Sequence, residues 1–316
     1  MINRSFLVCL LCAVCLSPAA EAQLAGTAGA FSRLGFGARG MGMSNAMTAV
    51  TTSDLAGYYN PAVTPFQTTR TAMLTYGALS LDRTFNTLVY TQTVGPTAGI
   101  SLSVINAGMR DIDGRDGDGF HTETMSIFEN QFALSFGMRP SKYVAIGITP
   151  KIYYSKLYKD VTTSTFGLDF GVIIFLTDRF TLGATARDVM SKYKWDTSTL
   201  YGQAGGPITD KFPTLNILGV SYAVGDKLGI VSAEIESSNK STTIVRMGAE
   251  VNLIEAFTVR AGIDHWNLDD ARQAAPTFGF TLRTSMGTMK PAVHYAYVIE
   301  PYNYFAMHII SLSAGF

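Results

Sequence analysis

Cysteine is scarce in this chain and confined to its first residues. The 316 residues include three cysteines, at Cys9, Cys12 and Cys15. They lie in an apolar run, Phe6–Leu16, which is followed by the small-x-small sequence Ala20-Glu21-Ala22. This pattern predicts a secretory signal peptide over residues 1–22, cleaved after Ala22. The mature chain would then have no disulfide, no thiolate metal site and no cysteine nucleophile.

Charge and long hydrophobic runs are scarce as well. Charged residues make up 15% of the chain, whereas about 25% is usual in soluble domains. The 24 basic residues balance 24 acidic ones, so no nucleic-acid partner is predicted. After residue 23 no apolar run approaches the ~18 residues of a membrane helix. An exported chain of this kind is either a soluble secreted β protein or an outer-membrane β-barrel.

The rest of the chain is rich in Thr, Val, Ile, Tyr, Phe and Gly, and it alternates with a period of two. Phe257, Val259 and Ala261 share one predicted face, for example, and Thr258 and Arg260 share the other. The faces predicted to point inward carry seven charged residues: Arg187, Glu234, Arg246, Glu250, Arg260, Asp264 and Arg283. We expect them to pair across neighbouring strands in a polar lumen. A lining that selects solutes is the alternative.

Strand length and loop rhythm favour a membrane barrel over a sandwich. The candidate strands cover residues 69–80, 84–94, 97–107, 123–138, 142–156, 162–176, 179–192, 213–224, 227–237, 241–253, 256–266, 275–286, 289–299 and 304–316. Most have eleven or more residues, whereas soluble strands average ~5–6 and tilted membrane strands need ~9–11. Short connections alternate with mostly longer ones, such as 108–122 and 193–212. This predicts an all-β, antiparallel up-and-down transmembrane barrel of about fourteen strands, with short periplasmic turns and longer extracellular loops.

The aromatic residues and the last residue agree with such a barrel. Tyr143 and Tyr222 fall near short turns, whereas Trp195 and Phe212 fall near long connections, which predicts two interfacial girdles. The apolar positions of the final segment alternate up to Phe316. A final strand that ends in Phe resembles the signal by which barrels are recognised for assembly. Outer-membrane lipid and the barrel-assembly machinery are therefore expected partners.

Residues 25–66 do not alternate and are rich in glycine and other small residues. Small side chains let backbones approach closely, so this segment suits a plug or strap against a wall formed by residues 67–316. The Asn60-Pro61 pair favours a defined turn over a flexible leader. We therefore divide the chain into a signal peptide (1–22), a periplasmic or lumenal plug (23–66) and a barrel (67–316).

Four short sequences in this segment resemble a known family. They are Gly-Ala-Arg-Gly-Met-Gly at 37–42, Ala-x-Thr-Ala-Val at 46–50, Asp-Leu-Ala at 54–56 and Tyr-Tyr-Asn-Pro-Ala at 58–62. Their order resembles the PorV/PorQ family, which is itself similar to FadL-type transporters of hydrophobic compounds. The resemblance implies a fourteen-stranded barrel with an N-terminal segment in its lumen, and a Bacteroidota-like host. The positions that carry this resemblance are Gly37, Arg39, Gly40, Gly42, Asp54, Asn60 and Pro61.

No constellation predicts catalysis or a cofactor. The four histidines lack metal-ligand spacing to one another, and no G-x-S-x-G sequence is present, so we expect no enzyme, no cofactor and no metal. The acidic, glycine-rich run from Asp111 to Asp118 could in principle hold calcium through oxygen ligands. Arg115 stands where a third ligand would be needed, so a solvated loop is the favoured interpretation.

Three functions remain from the sequence. The resemblance implies an accessory of type IX secretion that escorts cargo proteins with a C-terminal signal domain, so secreted cargo and secretion components are possible partners. The first alternative is a FadL-like channel for hydrophobic small molecules. The second is a structural surface barrel or a soluble secreted β protein.

Overall fold

The computed structural model describes residues 26–52, 57–158, 161–266, 274–299 and 306–316. The predicted signal peptide and Asp54 lie outside the described residues. The described residues form sixteen strands, and fourteen of these close into an antiparallel up-and-down barrel. The predicted fold class is therefore confirmed.

The barrel strands follow chain order around the wall. Their bounds are β1 Thr71–Ala78, β2 Thr84–Val94, β3 Ala98–Arg115, β4 His121–Met138, β5 Val144–Tyr158, β6 Val161–Phe175, β7 Phe180–Val189, β10 Leu215–Val224, β11 Gly229–Ser238, β12 Thr243–Ile254, β13 Phe257–Trp266, β14 Ala275–Arg283, β15 Lys290–Ile299 and β16 Ala306–Gly315. The ladder between β1 and β16, from Thr71 opposite Gly315 to Ala78 opposite His308, closes the wall.

The wall carries apolar side chains outside and polar ones inside. On β1, Leu74 and Tyr76 are 56% and 53% exposed, whereas Thr75 between them is buried. The same alternation continues on the other strands, because successive side chains of a strand point to opposite faces. An apolar outer belt around a polar interior is the arrangement of a transmembrane barrel. Among the described helices, none has the length and apolar character needed to cross a membrane.

Two connections contain more structure than the sequence indicates. Strands β3 and β4 run into the predicted loop 108–122, because their ladder resumes after a bulge between Met109 and Ile112. The predicted loop 193–212 holds most of a separate hairpin of β8 (Lys192–Asp196) and β9 (Pro207–Lys211), with a short helix, Ser198–Tyr201, between them. These two connections lie at the same end of the barrel, which we call the long-loop end. We call the opposite end the short-turn end.

The aromatic residues of the β8–β9 region correct one expectation. Trp195 and Phe212 were predicted for an interfacial girdle, but both are buried. The prediction was wrong because the hairpin packs against β6 and turns these rings into the core. Tyr143 and Tyr222 are exposed, as a girdle at the short-turn end requires.

Residues 26–52 and 57–66, here called the N-terminal segment, precede the barrel. The segment contains a 3-10 helix at Ala30–Arg33, helix α1 at Gly37–Gly42 and a second 3-10 helix at Pro61–Phe66. Asn60 caps the second 3-10 helix, since its side chain accepts a hydrogen bond from the Ala62 amide at 3.0 Å. Most of the described segment is buried. A free leader would instead be exposed, so the segment is part of the folded structure.

Candidate functional site: the interior of the barrel

The N-terminal segment packs against glycines on the inward face of the wall. This glycine track consists of Gly99, Gly137, Gly147, Gly171, Gly183, Gly219, Gly248, Gly262 and Gly279. The first four are direct cross-strand neighbours on β3, β4, β5 and β6. The ideal Cβ position at Gly147 would overlap the Pro61 backbone, and that at Gly171 would overlap the Asn60 side chain. The backbone of the segment therefore approaches the wall closer than any side chain allows.

Hydrogen bonds fix the segment to strands all around the wall. The Ala38 amide donates to Ser311 Oγ on β16 at 2.8 Å, and the Asn60 amide side chain donates to the Val172 carbonyl on β6 at 3.1 Å. Thr64 Oγ1 donates to the Gly99 carbonyl on β3 at 3.0 Å. Because these strands lie on different sides of the barrel, the segment is anchored across the lumen.

Three of the motif glycines have distinct local surroundings. Gly37 begins α1 with φ at 67°, a left-handed conformation that glycine adopts readily. Gly40 lies against the Tyr59 ring, and Gly42 lies against Gly279 of the wall. A Cβ at Gly40 would overlap the Tyr59 ring, whereas one at Gly42 would only be in ordinary contact with Gly279.

The first of three buried ionic groups joins the segment to the wall. Arg39 donates through Nε and Nη2 to the two carboxylate oxygens of Glu250, both at 2.9 Å. Arg260 donates to the same carboxylate from the neighbouring strand β13. The three side chains are at most 8% exposed, so the pair is shielded from water. A two-point contact of this geometry holds α1 in one orientation.

The second group surrounds Arg246 on β12. Its guanidinium lies 2.7 Å from Asp264, 3.2 Å from Glu234 and 2.9 Å from Glu236. The N-terminal segment completes this group, because Asn45 donates to Asp264 at 2.8 Å and the Thr48 amide donates to Glu234 at 3.2 Å. Asp264 and Glu234 thus each gain a second partner, and Glu236 is paired with Arg246, as buried charges require.

The third group lies on β5, β6 and β7. Lys151 Nζ lies 2.6 Å from Asp169 and 3.0 Å from Asp188, and the Tyr153 hydroxyl also donates to Asp188. Arg187 is 3.8 Å from Asp169 and stacks over the Tyr58 ring at 4.5 Å.

The wall beside this third group is irregular. The β4–β5 ladder pairs Ala133 with Lys151 and next Phe136 with Ile148, so it skips two pairs, one at Pro150, which has no N–H to donate, and one at Thr149. The β6–β7 register shifts at Asp169, and Asp188 has a positive φ of 57°. The irregular backbone turns both carboxylates toward Lys151.

Sequence reasoning placed seven charges on inward faces, and the structure locates each of them. Arg187, Glu234, Arg246, Glu250, Arg260 and Asp264 are buried inside. Arg283 is half-buried and donates to Thr258 Oγ1 on the inward face of β13. Lys151, Asp169 and Glu236 are buried inside as well, and the period of two along their strands gives each of them inward parity.

Phe316 lies at the short-turn end. Its side chain is 50% exposed, its ring stacks on Tyr90 at 6.4 Å, and its amide donates to the Arg70 carbonyl at 2.9 Å. The last residue is thus paired with the residue that precedes β1. Its role as an assembly signal stays a prediction.

Aromatic side chains fill the interior toward the long-loop end. Tyr193 of β8 contacts the rings of Trp195 and Phe212 at 5.1 Å and 4.7 Å. Phe212 in turn contacts Tyr153 of the wall at 4.9 Å, and Tyr153 contacts Phe31 of the N-terminal segment at 6.3 Å. This aromatic cluster, made of these five residues, therefore joins the hairpin, the wall and the segment. Its five rings are buried and belong to one apolar core cluster.

The acidic run at the tip of β3 and β4 is exposed and internally paired. Asp113 accepts from His121 at 2.6 Å and from Arg115 at 2.8 Å. These hydrogen bonds, that of His121 first, lower the pKa of Asp113 from its ordinary value of 3.8. Among the described residues, no three His, Cys, Asp or Glu side chains are grouped for a metal ion. The calcium hypothesis gains no support here.

Comparisons with known proteins place this fold. The chain matches no protein-family model and no curated protein. Its structure is similar to the toluene transporter TodX of Pseudomonas putida, with a TM-score of 0.63 over 89% of this chain and 96% of TodX, at 12% identity. It is also similar to the toluene transporter TbuX of Ralstonia pickettii (TM-score 0.59, 11% identity, 89% and 97% covered). A FadL homologue of Pseudomonas aeruginosa gives a TM-score of 0.60 at 13% identity, with 89% and 98% covered.

At these identities the likeness establishes the fold. The chain shares the barrel fold of these three proteins, which agrees with the barrel that the N-terminal resemblance implies. The finer resemblance to the PorV/PorQ family stays a prediction.

Proposed function

We propose that this protein is an outer-membrane channel for hydrophobic small molecules. The aromatic cluster carries the proposal, because it places five largely apolar rings inside a barrel whose interior also holds the three ionic groups. Ligand sites of this kind are mostly apolar and aromatic, with few polar groups. The similar structures named for transport of toluene support the same class of solute.

In this proposal the N-terminal segment is the plug. It is anchored to opposite sides of the wall and buried against the glycine track, so it restricts the passage of ions and polar solutes. A hydrophobic solute enters at the long-loop end, contacts the aromatic cluster and leaves by a path that the segment borders. The solute is bound and released unchanged, so the protein is not an enzyme.

Location and partners belong to the same proposal. The outward apolar belt suits the outer-membrane lipid, and the predicted signal peptide and terminal Phe316 suit export and the assembly machinery. The type IX secretion role rests on the N-terminal resemblance alone. The similar solved structures are named as transporters, so they favour transport over a role in secretion. Secreted cargo and secretion components stay predictions from the resemblance.

Uptake by whole cells tests the channel. The chain is expressed in an outer-membrane host that lacks its own hydrocarbon channel, and the initial uptake rate of labelled toluene is measured. We expect uptake several-fold above the empty host, and a large loss in Phe212→Ser, which removes a ring from the middle of the aromatic cluster.

The matched control is Tyr201→Ser, which removes an exposed ring from the same connection. It should leave toluene uptake unchanged. The amount of folded barrel is checked for each variant by its faster migration on unheated gels. Toluene uptake no faster than in the empty host, with folded protein in the outer membrane, would overturn the proposal.

A further inference from the structure

A recess of about 550 Å³ lies beside the long-loop end of β2, β3 and β4. Its lining includes Asn106, Gly108 and Arg110 of β3 and Phe128 and Asn130 of β4. These residues share the strand parity of the exposed Leu102 and Phe132, so this part of the lining faces outward. This outward-facing part of the recess is separate from the aromatic cluster, none of whose residues lines it.

The backbone explains why the surface is concave at this point. Gly108 faces Phe128, and a Cβ at Gly108 would overlap the Ile127 carbonyl oxygen. Immediately afterwards, β3 bulges between Met109 and Ile112, and Asp111 has a positive φ of 55°. A missing side chain followed by a bulge bends the hairpin and leaves a hollow.

The recess lies at the edge of the outward apolar belt that is nearer the long-loop end. The Phe128 ring is 5.9 Å from the ring of Tyr154, an exposed aromatic residue on β5. Toward the short-turn end, β4 presents Phe132, Leu134 and Phe136 outward, and all three are exposed. Aromatic residues typically mark the level of the lipid headgroups. The recess thus opens at the boundary between acyl chains and headgroups.

Polar groups at this boundary match a headgroup. Asn106 and Asn130 form a side-chain hydrogen bond of 2.7 Å on the outward face, where their β3 and β4 neighbours nearer the short-turn end are apolar. An amide pair joined by one hydrogen bond keeps further donors and acceptors, which suit sugar hydroxyls. The exposed Arg110 adds a cation that suits a phosphate. Asp111 also lines the recess. Because its carboxylate repels a phosphate, we expect the phosphate to lie beside Arg110 and away from Asp111.

We propose that this recess binds a phosphorylated glycolipid of the outer leaflet. Arg110 contacts the phosphate, the Asn106–Asn130 pair contacts the sugar, and Phe128 contacts the start of the acyl chains. The inference rests on the outer-membrane location proposed above. It does not depend on transport, because the residues that contact the lipid face outward.

Native mass spectrometry tests the site. The purified full chain in detergent micelles is titrated with diphosphoryl lipid A, and the fraction of lipid-bound protein is measured. Arg110→Gln should weaken binding about tenfold, the loss expected when one charge-assisted contact is removed. Arg179→Gln is the control, since it removes an exposed arginine at the short-turn end and should bind as the unchanged chain does.

Two further arms identify the ligand chemistry. Dephosphorylated lipid A should bind the unchanged chain and Arg110→Gln equally, while Asn106→Leu with Asn130→Leu should weaken binding of both lipids. Equal binding of diphosphoryl lipid A by Arg110→Gln and the unchanged chain would overturn the proposal. So would inorganic phosphate that displaces the lipid, because this would indicate an ion site. Loss of toluene uptake with lipid binding intact would overturn only the channel.

Discussion

Glu250 is the residue on which the fit between segment and wall depends most directly. Its carboxylate accepts from Arg39 of the segment and Arg260 of β13, all three side chains being buried. In Glu250→Gln, two guanidinium groups lose their anion in a place without water. Because breaking a buried pair is costly, we expect the free energy of unfolding to fall by roughly 3–5 kcal/mol. Urea unfolding in micelles, followed by tryptophan fluorescence, measures this change.

The control for this charge removal is Glu255→Gln. Glu255 lies exposed in the turn after the same strand. It should change the free energy of unfolding by less than about 0.5 kcal/mol. Equal effects of the two substitutions would show that the ionic group does not hold the segment.

Gly171 is the clearest position of the glycine track. A methyl group there would overlap the Asn60 side chain, which also caps the second 3-10 helix. We expect Gly171→Ala to displace the segment and to cost about 1–3 kcal/mol, the usual effect of overpacking. Limited proteolysis followed by mass spectrometry should show faster cleavage within residues 30–66.

Gly117→Ala is the matched substitution for this test. Gly117 lies in the exposed β3–β4 tip, with no atom near the position of an added Cβ. Cleavage of the N-terminal segment should proceed at the unchanged rate in this variant. The same rate in Gly171→Ala would contradict the close approach described here.

At the scale of elements, the β3–β4 hairpin has a pH-dependent tip. Hydrogen bonds from His121 and Arg115 hold the pKa of Asp113 below its ordinary 3.8. A depressed carboxyl pKa stabilises the folded tip at pH values above the ordinary one, and this contribution is lost as the pH falls through the folded value. In the folded protein, Asp113 observed by carboxyl NMR should titrate below 3.8, and His121→Gln should raise its pKa. A folded pKa at or above the ordinary value would contradict the pairing.

Strand positions were largely predictable from sequence, because the period of two and the turn residues are local signals. The predicted strand 227–237, for example, is β11, Gly229–Ser238. The length of β3 was not predictable, since its ladder continues past a bulge that only pairing with β4 stabilises. The β8–β9 hairpin was missed for a similar reason: its strands have five residues each, too few for a clear alternation.

At the scale of the whole molecule, the barrel should be closed to ions by its own N-terminal segment. Removing residues 30–66 leaves the inward charges facing an open, water-filled lumen. We expect the single-channel conductance in planar bilayers to rise from near zero to the range of a polar pore. The full chain recorded under the same conditions is the control. Equal conductance of the two proteins would show that the segment does not obstruct the lumen.

The sequence by itself determined a membrane barrel of about fourteen strands. Strand length, alternation and the rhythm of connections are local properties, and they are sufficient because a barrel is built from neighbouring hairpins. The sequence also identified the glycine-rich block before the barrel, and it predicted most of the charged residues on the inward faces.

Only the tertiary structure decided what fills the barrel. The glycine track joins residues that are far apart in sequence, and each glycine is ordinary within its own strand. The ionic groups likewise pair Arg39 with Glu250 and Asn45 with Asp264, more than two hundred residues away. Such partners depend on barrel closure and on the path of the N-terminal segment. No periodicity along the chain encodes either of these.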